Sequence, residues 1–264
     1  MSRPLETRDL VEVLDEASSI VRGGRLSPGS IRRKDDGSPV TALDAEVDAF
    51  LRAQLTRLVP GSGWLSEESP DDGSRRCSAL AWIVDPIDGT KELIAGRDEI
   101  AISIALVRAG RVIAAAVANP LRAERGVWIE GGTAAFEGLA PVAAPVSLDT
   151  TRAIVSRTEW SRGDLRGLEG IFAETRPVGS VAYKLLRVAS GADHFTYSVR
   201  PKREWDVCGG VGLVLGSGGS YARLDDVPIA FNRDDTRIPS GHVAGPPALV
   251  PAAKQALLEK LASR

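Results

Sequence analysis

The fold class that the sequence predicts is an α+β first half followed by an α/β second half. In the first half, two amphipathic helical patterns precede a series of short apolar runs joined by tight turns. In the second half, strand-like and helix-like patterns alternate, which is typical of α/β domains. The alanine- and proline-rich stretch LAPVAAPVSLD lies between the two halves. We therefore expect an N-terminal domain over residues 1–144 and a C-terminal domain over residues 145–264.

The N-terminal part begins with two predicted helices. Apolar residues recur at helical spacing over residues 8–22, and Gly23-Gly24 ends the pattern. The polar loop SPGSIRRKDDGSPV, which contains Lys34, follows. A second amphipathic helix comes after the loop and ends before Pro60.

Short apolar runs then predict strands. They occupy residues 64–65, 82–84, 100–107 and 112–117. Ala109-Gly110 predicts a hairpin turn between the last two runs, and the segment GVWIEGGTAAFEG predicts a second hairpin. In the C-terminal part, strands are predicted at 153–156, 195–199 and 221–222, and helices at 165–172, 180–190, from about Asp206 and from Pro247.

Composition excludes several classes of function. With 43% hydrophobic residues, 26% charged residues and a formal net charge of −2, the chain lacks the basic surface of a nucleic-acid binder. No apolar run is long enough for membrane insertion, and the start MSRPLETRDL lacks the apolar core of a signal peptide, so we expect a cytoplasmic protein. Cys77 and Cys208 fit reduced thiols, and two histidines leave little room for a zinc site. Carboxylates remain the candidate reactive groups.

Acidic residues occur in four notable settings, and each has a structural alternative. The settings are PVTALD with Asp44, WLSEESP with Glu67 and Glu68, DPIDGT with Asp85 and Asp88, and REWDVCGG with Asp206. Thr41 and Asp44 match a helix capping box, and Asp206 fits a helix N-cap. The glutamate pair fits a solvated loop, and DPIDGT fits a turn.

Asp85 and Asp88 favour a metal site over the structural alternative. Two carboxylates placed this close at the end of an apolar strand repel each other unless a proton or cation lies between them. Oxygen ligands without a Cys/His cluster favour Mg²⁺ or a similar hard ion. The spacing suits two-metal hydrolysis, with Thr90 placed to orient a water molecule and Asp44 to accept a proton.

Taken together, these motifs resemble the inositol monophosphatase superfamily of Mg²⁺-dependent, lithium-sensitive phosphomonoesterases. The resemblance runs from SPVTALD through LSEES and DPIDGT to WDVCGG, in that order, and covers nearly the whole chain. It implies a layered αβαβα sandwich with the metal site between the two halves. It also implies a mobile loop around Lys34 and, typically, a homodimer.

The resemblance assigns roles to individual residues. The implied ligands of two to three Mg²⁺ ions are Glu67, Asp85, the carbonyl of Ile87, Asp88 and Asp206. Thr90 and Asp44, assisted by Glu67, are implied to activate water. Asp88, Gly89, Thr90 and Asp206 are implied to contact the substrate, with the N–H groups of Gly89 and Thr90 directed at its phosphate.

Within the superfamily, DGTKE is similar to the CysQ-type branch, which hydrolyses the 3′-phosphate of adenosine 3′,5′-bisphosphate. The segment GSVAYKLL resembles a nucleotide-contacting segment of that branch and implies roles for Ser180 and Lys184. RPKREWD adds Arg200, Lys202 and Arg203, positive charge that a substrate with two phosphates requires. The alternative for Lys184 is a helical lysine that simply reaches solvent.

Two other functions remain open. An inositol-, sugar- or polyol-phosphate phosphatase would use the same chemistry on a different small phosphorylated metabolite. A non-catalytic metal- or nucleotide-binding regulator would belong to a different class, but such proteins usually lose a ligand, and here every implied ligand is present.

Overall fold

The computed structural model describes residues 3–24, 31–33 and 39–264. Lys34 and most of the loop around it lie outside the described residues, so their predicted role is untested. The helices are α1 (Thr7–Gly23), α2 (Ala42–Leu58), α3 (Thr90–Ile94), α4 (Arg157–Arg162), α5 (Val181–Ala189), α6 (Glu204–Gly216) and α7 (Val250–Ala262). No helix among these described residues is long and apolar enough to cross a bilayer.

The strands of the N-terminal part form a ribbon and a larger sheet. They are β1 (Ile31–Arg33), β2 (Pro39–Thr41), β3 (Gly63–Ser66), β4 (Leu80–Asp88), β5 (Ala101–Arg108), β6 (Arg111–Asn119), β7 (Glu124–Ile129) and β8 (Ala135–Glu137). Strands β3 to β8 form a six-stranded sheet in chain order, in which β3 and β4 are parallel and the other neighbours antiparallel. Both predicted hairpins are present, and Ala109 and Gly110 turn the first with positive φ angles of 48° and 79°.

The strands of the C-terminal part form a five-stranded sheet and a separate two-stranded antiparallel ribbon, which consists of the short strands Lys202–Arg203 and Arg237–Ile238. They are β9 (Arg152–Ser156), β10 (Glu174–Val178), β11 (Phe195–Ser198), β12 (Lys202–Arg203), β13 (Ser220–Arg223), β14 (Arg237–Ile238) and β15 (His242–Gly245). The sheet has the order β10-β9-β11-β15-β13, with parallel pairs on one side and antiparallel pairs on the other. The sheets lie on either side of the predicted junction, and the division into two domains stays a prediction.

Within the described residues, three hydrophobic clusters hold the layers together. Helices α1 and α2 cover one face of the six-stranded sheet, where Leu10, Leu51 and Trp82 are fully buried. Helices α5 and α6 lie between the two sheets, and α7 covers the outer face of the five-stranded sheet. The order helix, sheet, helix, sheet, helix confirms the layered αβαβα sandwich.

The second half also corrects the sequence prediction. The expected helix over 165–172 is wrong, since this segment consists of turns in which Gly167 and Gly170 have positive φ angles. The nearby helix is α4, which precedes this segment and ends at Arg162, with Gly163 as its C-cap at a positive φ angle of 75°. Helix α6 begins at Glu204, so Asp206 is its third residue and not its N-cap.

Candidate active site

A cavity of about 590 Å³ lies where strand β4 and the first turns of helices α3, α5 and α6 meet. Its wall includes the end of β9 and residues of helix α4, together with Glu67, Ile87, Asp88, Gly89, Thr90, Ser180, Lys184 and Asp206. The fold therefore gathers side chains from both halves of the sequence around one opening. Asp85 lies beneath the wall and is 1% exposed.

Three of the predicted metal ligands form a compact acidic cluster. Carboxylate oxygens of Glu67, Asp85 and Asp206 lie within 4.8 Å of one another. Both oxygens of Asp85 are buried and, within the described part of the chain, accept no hydrogen bond. A buried carboxylate without a partner is unfavourable unless it is protonated or binds a cation. The all-oxygen donor set fits Mg²⁺ or a similar hard divalent ion.

Burial and mutual repulsion shape the charges of this cluster. The pKa of Asp85 is raised well above its usual value, mainly by desolvation and further by the nearby charges of Glu67 and Asp88. Desolvation, together with the charges of Asp88 and Glu67, raises the pKa of Asp206 to about 7. A divalent cation would reverse both effects, because it favours the ionised carboxylates.

Thr90 and Asp44 form a hydrogen-bonded pair at the edge of the cavity. The Thr90 hydroxyl lies 2.8 Å from Asp44 Oδ1 and 3.1 Å from the carbonyl oxygen of Ile87. Asp44 is fully buried, and its Oδ2 accepts the N–H (2.8 Å) and hydroxyl (2.5 Å) of Thr41. The capping-box interpretation of Asp44 is thus confirmed, but it uses only one of the two carboxylate oxygens.

Asp88 lies at the end of β4 and is tied to the start of α5. Its Oδ2 accepts the hydroxyl of Ser180 at 2.7 Å and the N–H of Ala182 at 2.6 Å. Gly89 follows with φ of 103° as the N-cap of α3, so the predicted helix start at Gly89 and Thr90 is present. Asp88 lies outside the cluster of three acids, although its charge acts on both Asp85 and Asp206.

The glycine pair in WDVCGG explains how Asp206 reaches the cluster. A Cβ at Gly209 would lie 2.6 Å from the Ser103 hydroxyl, and one at Gly210 would lie 2.4 Å from Leu185 Cβ. Only residues without a side chain let α6 approach both β5 and α5 this closely. Asp206 accepts the N–H of Arg203 (2.8 Å), which fixes the first turn of α6.

Lys184 is buried, so the alternative in which it reaches solvent is wrong. Only 3% of the residue is exposed, and Nζ donates to the carbonyl oxygens of Ser180 (2.5 Å), Val178 (3.3 Å) and Gly179 (3.4 Å). Desolvation lowers its pKa to about 8. Lys184 therefore fastens the segment that precedes α5, and its contact with a substrate stays a prediction.

The three cations of RPKREWD line the cavity but have partners. Arg200 forms a two-point ion pair with Asp164, and Lys202 pairs with the buried carboxylate of Glu159 at 2.9 Å. The guanidinium of Arg203 lies 5.8 Å from the ring of Trp205. Lys91 and Arg162 also line the cavity, and in the part of the chain that the structure describes neither side chain has an ion-pair or hydrogen-bond partner.

Sequence reasoning missed the residues that support the cavity wall. Glu99 accepts the N–H of Gly179 at 2.8 Å and also pairs with Arg157. Glu159 accepts the Ser198 hydroxyl (2.6 Å) in addition to pairing with Lys202. These partners lie tens of residues apart in sequence, so no local motif marks them.

Comparisons with known proteins agree with this arrangement. A model of the inositol monophosphatase family matches residues 6–262. A 3′-phosphoadenosine 5′-phosphate phosphatase of Mycobacterium bovis is 32% identical over 204 residues, which cover 75% of this chain and 74% of the relative. An inositol-1-monophosphatase of Rhizobium meliloti is 30% identical over 212 residues, covering 74% of this chain and 76% of the relative.

Solved structures share the fold. The solved structure of an IMPase from Thermotoga maritima superposes with a TM-score of 0.79 over 96% of each chain, at 21% identity. The fold that forms the acidic cavity and the sequence of the chain thus both match the same group of proteins. The chain belongs to the inositol monophosphatase family.

Proposed function

We propose that this chain is a Mg²⁺-dependent phosphomonoesterase that removes the 3′-phosphate of adenosine 3′,5′-bisphosphate. The observation that carries the proposal is the acidic cluster beside the Thr90–Asp44 pair. In this cluster the Asp85 carboxylate, which accepts no hydrogen bond from any residue that the structure describes, lies next to Glu67 and Asp206. Glu67, Asp85, the carbonyl of Ile87, Asp88 and Asp206 would hold two to three ions. Bound Mg²⁺ would supply the charge that activates water and stabilises the leaving oxygen.

Thr90 and Asp44 provide the route for the proton of the attacking water. When the Thr90 hydroxyl donates to Asp44 Oδ1, its oxygen is free to accept a hydrogen bond from water. Transfer of the water proton to Thr90, as Thr90 passes its own proton to Asp44, increases the nucleophilicity of the water oxygen. The water oxygen then attacks phosphorus in line with the ribose 3′ oxygen, and the bond between phosphorus and that oxygen breaks. The departing oxygen takes up a proton to give the alcohol, and no covalent enzyme intermediate forms.

The charge of the cavity supports a substrate with two phosphates. Arg200, Lys202 and Arg203 are engaged with protein groups, whereas Lys91 and Arg162 have no partner among the described residues. An unpaired arginine at a cavity wall is suited to bind a phosphate through two hydrogen bonds. We assign the second phosphate of the substrate to Arg162 and Lys91.

Inositol 1-phosphate is the second candidate substrate, because a relative named inositol-1-monophosphatase is nearly as similar as the one named for a nucleotide bisphosphate. Phosphate release from both compounds and from adenosine 3′-monophosphate, with Mg²⁺ or with EDTA, tests the proposal. We expect Mg²⁺-dependent release that favours the bisphosphate. Preference for the polyol would support the second candidate, and no Mg²⁺-dependent release would contradict the catalytic proposal. The homodimer and the cytoplasmic location stay predictions.

A further inference from the structure

Ser180 has an unusual backbone conformation for a residue with a side chain. Its φ and ψ angles are 52° and 128°, in a region that L-residues rarely adopt because Cβ crowds the backbone. It is the N-cap of α5, where a glycine would adopt this conformation without strain. A serine kept in such a conformation needs surroundings that hold it there.

Both hydrogen-bonding functions of the Ser180 hydroxyl are used. The oxygen accepts the N–H of Tyr183 at 2.9 Å, which is an ordinary capping bond, and its proton is donated to Asp88 Oδ2 at 2.7 Å. Ala182 N–H reaches the same Asp88 oxygen at 2.6 Å. Two donors on one oxygen fix the plane of the Asp88 carboxylate.

The other oxygen of Asp88 is left for the cavity. Within the described residues Asp88 Oδ1 accepts no hydrogen bond, and Asp88 lines the cavity beside Asp206. The segment that carries Ser180 is itself held from two sides. Glu99 accepts the N–H of Gly179, and Lys184 donates to the Ser180 carbonyl oxygen at 2.5 Å.

We propose that Ser180 is a positioning residue, whose hydroxyl holds Oδ2 of Asp88 so that Oδ1 is presented to the metal. The inference rests on the proposed function, since it takes Asp88 as a metal ligand. Groups that orient a metal ligand commonly change metal affinity roughly 10- to 100-fold when they are removed. A residue that served only as a helix cap would have no such effect.

Ser180→Gly separates the two roles. Glycine removes the hydroxyl, relieves the positive φ angle and is tolerated as an N-cap, so the metal-free protein should be as stable as wild type or more stable. Ala123→Gly is the matched control, because Ala123 is exposed, has φ of 53° and lies outside the cavity. Ser180→Ala removes the hydroxyl but keeps a side chain at the positive φ angle. It replaces the glycine variant in the test if Ser180→Gly folds poorly.

The measurements are the melting temperature in EDTA and Mg²⁺ binding by calorimetry without substrate. For Ser180→Gly we expect a melting temperature in EDTA at or above wild type and a Kd for Mg²⁺ raised roughly 10-fold or more. Ala123→Gly should leave the Kd unchanged. Adding Ser180→Gly to Asp88→Asn should cause no further loss, because the hydroxyl acts through Asp88.

Two outcomes overturn the inference, and they differ in what else they affect. Wild-type Mg²⁺ affinity in both Ser180 variants would show that the hydroxyl is only a cap, and the proposed function would stand. Absence of Mg²⁺ binding by the wild-type protein would overturn the inference and the proposed metal site together.

Discussion

Replacing Asp206 with asparagine should stabilise the metal-free protein above neutral pH while removing its response to Mg²⁺. The pKa of Asp206 rises from 3.8 to about 7 because its carboxylate is desolvated near Asp88 and Glu67. The folded protein therefore binds more protons than the unfolded chain between these two values, and its stability falls as pH rises from about 4 to 7. Asparagine carries no such proton and retains an oxygen that can accept the N–H of Arg203.

The size of the stabilisation expected for Asp206→Asn follows from the pKa shift of Asp206. About three pKa units at about 1.4 kcal/mol each give an upper limit on the order of 4 kcal/mol. For a chain of this size, 1 kcal/mol moves the melting temperature by roughly 2–4 °C. At pH 8 in EDTA, the variant should therefore melt several degrees above wild type, and near pH 4 the difference should vanish.

Thermal melting from pH 4 to pH 8.5, in EDTA and in Mg²⁺, measures this. Wild type should gain stability from Mg²⁺, increasingly so at higher pH, because the ion binds the ionised carboxylates. The Asp206→Asn variant should gain little stability from Mg²⁺. Asp149→Asn, an exposed change outside the cavity, is the control and should follow wild type. If the metal-free variant melts with wild type at every pH, the acidic cluster does not destabilise the fold and the reasoning is wrong.

Three further predictions concern the reaction and its supports. Thr90→Ala should lower kcat by roughly 10²- to 10⁴-fold with Mg²⁺ affinity retained, because the proton route is lost. Thr90→Ser keeps a hydroxyl and should retain activity; an equal loss of kcat in both variants would contradict the proton route. Arg162→Ala should raise KM for adenosine 3′,5′-bisphosphate roughly 10-fold or more but leave KM for adenosine 3′-monophosphate unchanged. Arg200→Ala is the control and should change neither KM value; parallel changes for both substrates in Arg162→Ala would rule out a role in binding the second phosphate. Gly210→Ala should reduce the free energy of unfolding by about 1–3 kcal/mol and weaken Mg²⁺ binding, because the new Cβ would lie 2.4 Å from a side chain of α5. Denaturant titration measures the first effect and calorimetry the second; unchanged values would show that α6 can shift without cost.

Local sequence patterns predicted the parts of the fold that depend on local interactions. The hairpin at Ala109-Gly110 and the β4 strand that ends in Asp85 and Asp88 follow from turn residues and apolar runs. The helix over 165–172 was mispredicted because glycines at positive φ break an otherwise apolar segment. Strand β10, with the sequence ETRPV, was missed because it lies at a sheet edge, carries proline and shows no apolar alternation.

The candidate site divides in the same way. Asp85 and Asp88 were recognisable because two closely spaced carboxylates at the end of an apolar strand are unusual in a sequence. The supporting contacts, such as Glu99 with Gly179 and Glu159 with Lys202, join segments that only the assembled layers bring together. A single sequence carries no local signal for a pair of this kind, since the two partners lie far apart in the chain and neither belongs to a motif.

Unfavourable features of this fold concentrate around the cavity. Asp85 has buried oxygens that find no partner among the described residues, Asp206 has a raised pKa, and Ser180 has a strained backbone. Each would be relieved by a simple substitution, yet all lie on groups that meet the proposed metal ions directly or through Asp88. Mg²⁺ that binds the folded chain and not the unfolded one offsets such features by mass action. We therefore expect substitutions of Asp85, Asp206 and Ser180 to change stability and metal affinity in opposite directions, whereas Ala123→Gly and Asp149→Asn should leave metal affinity unchanged.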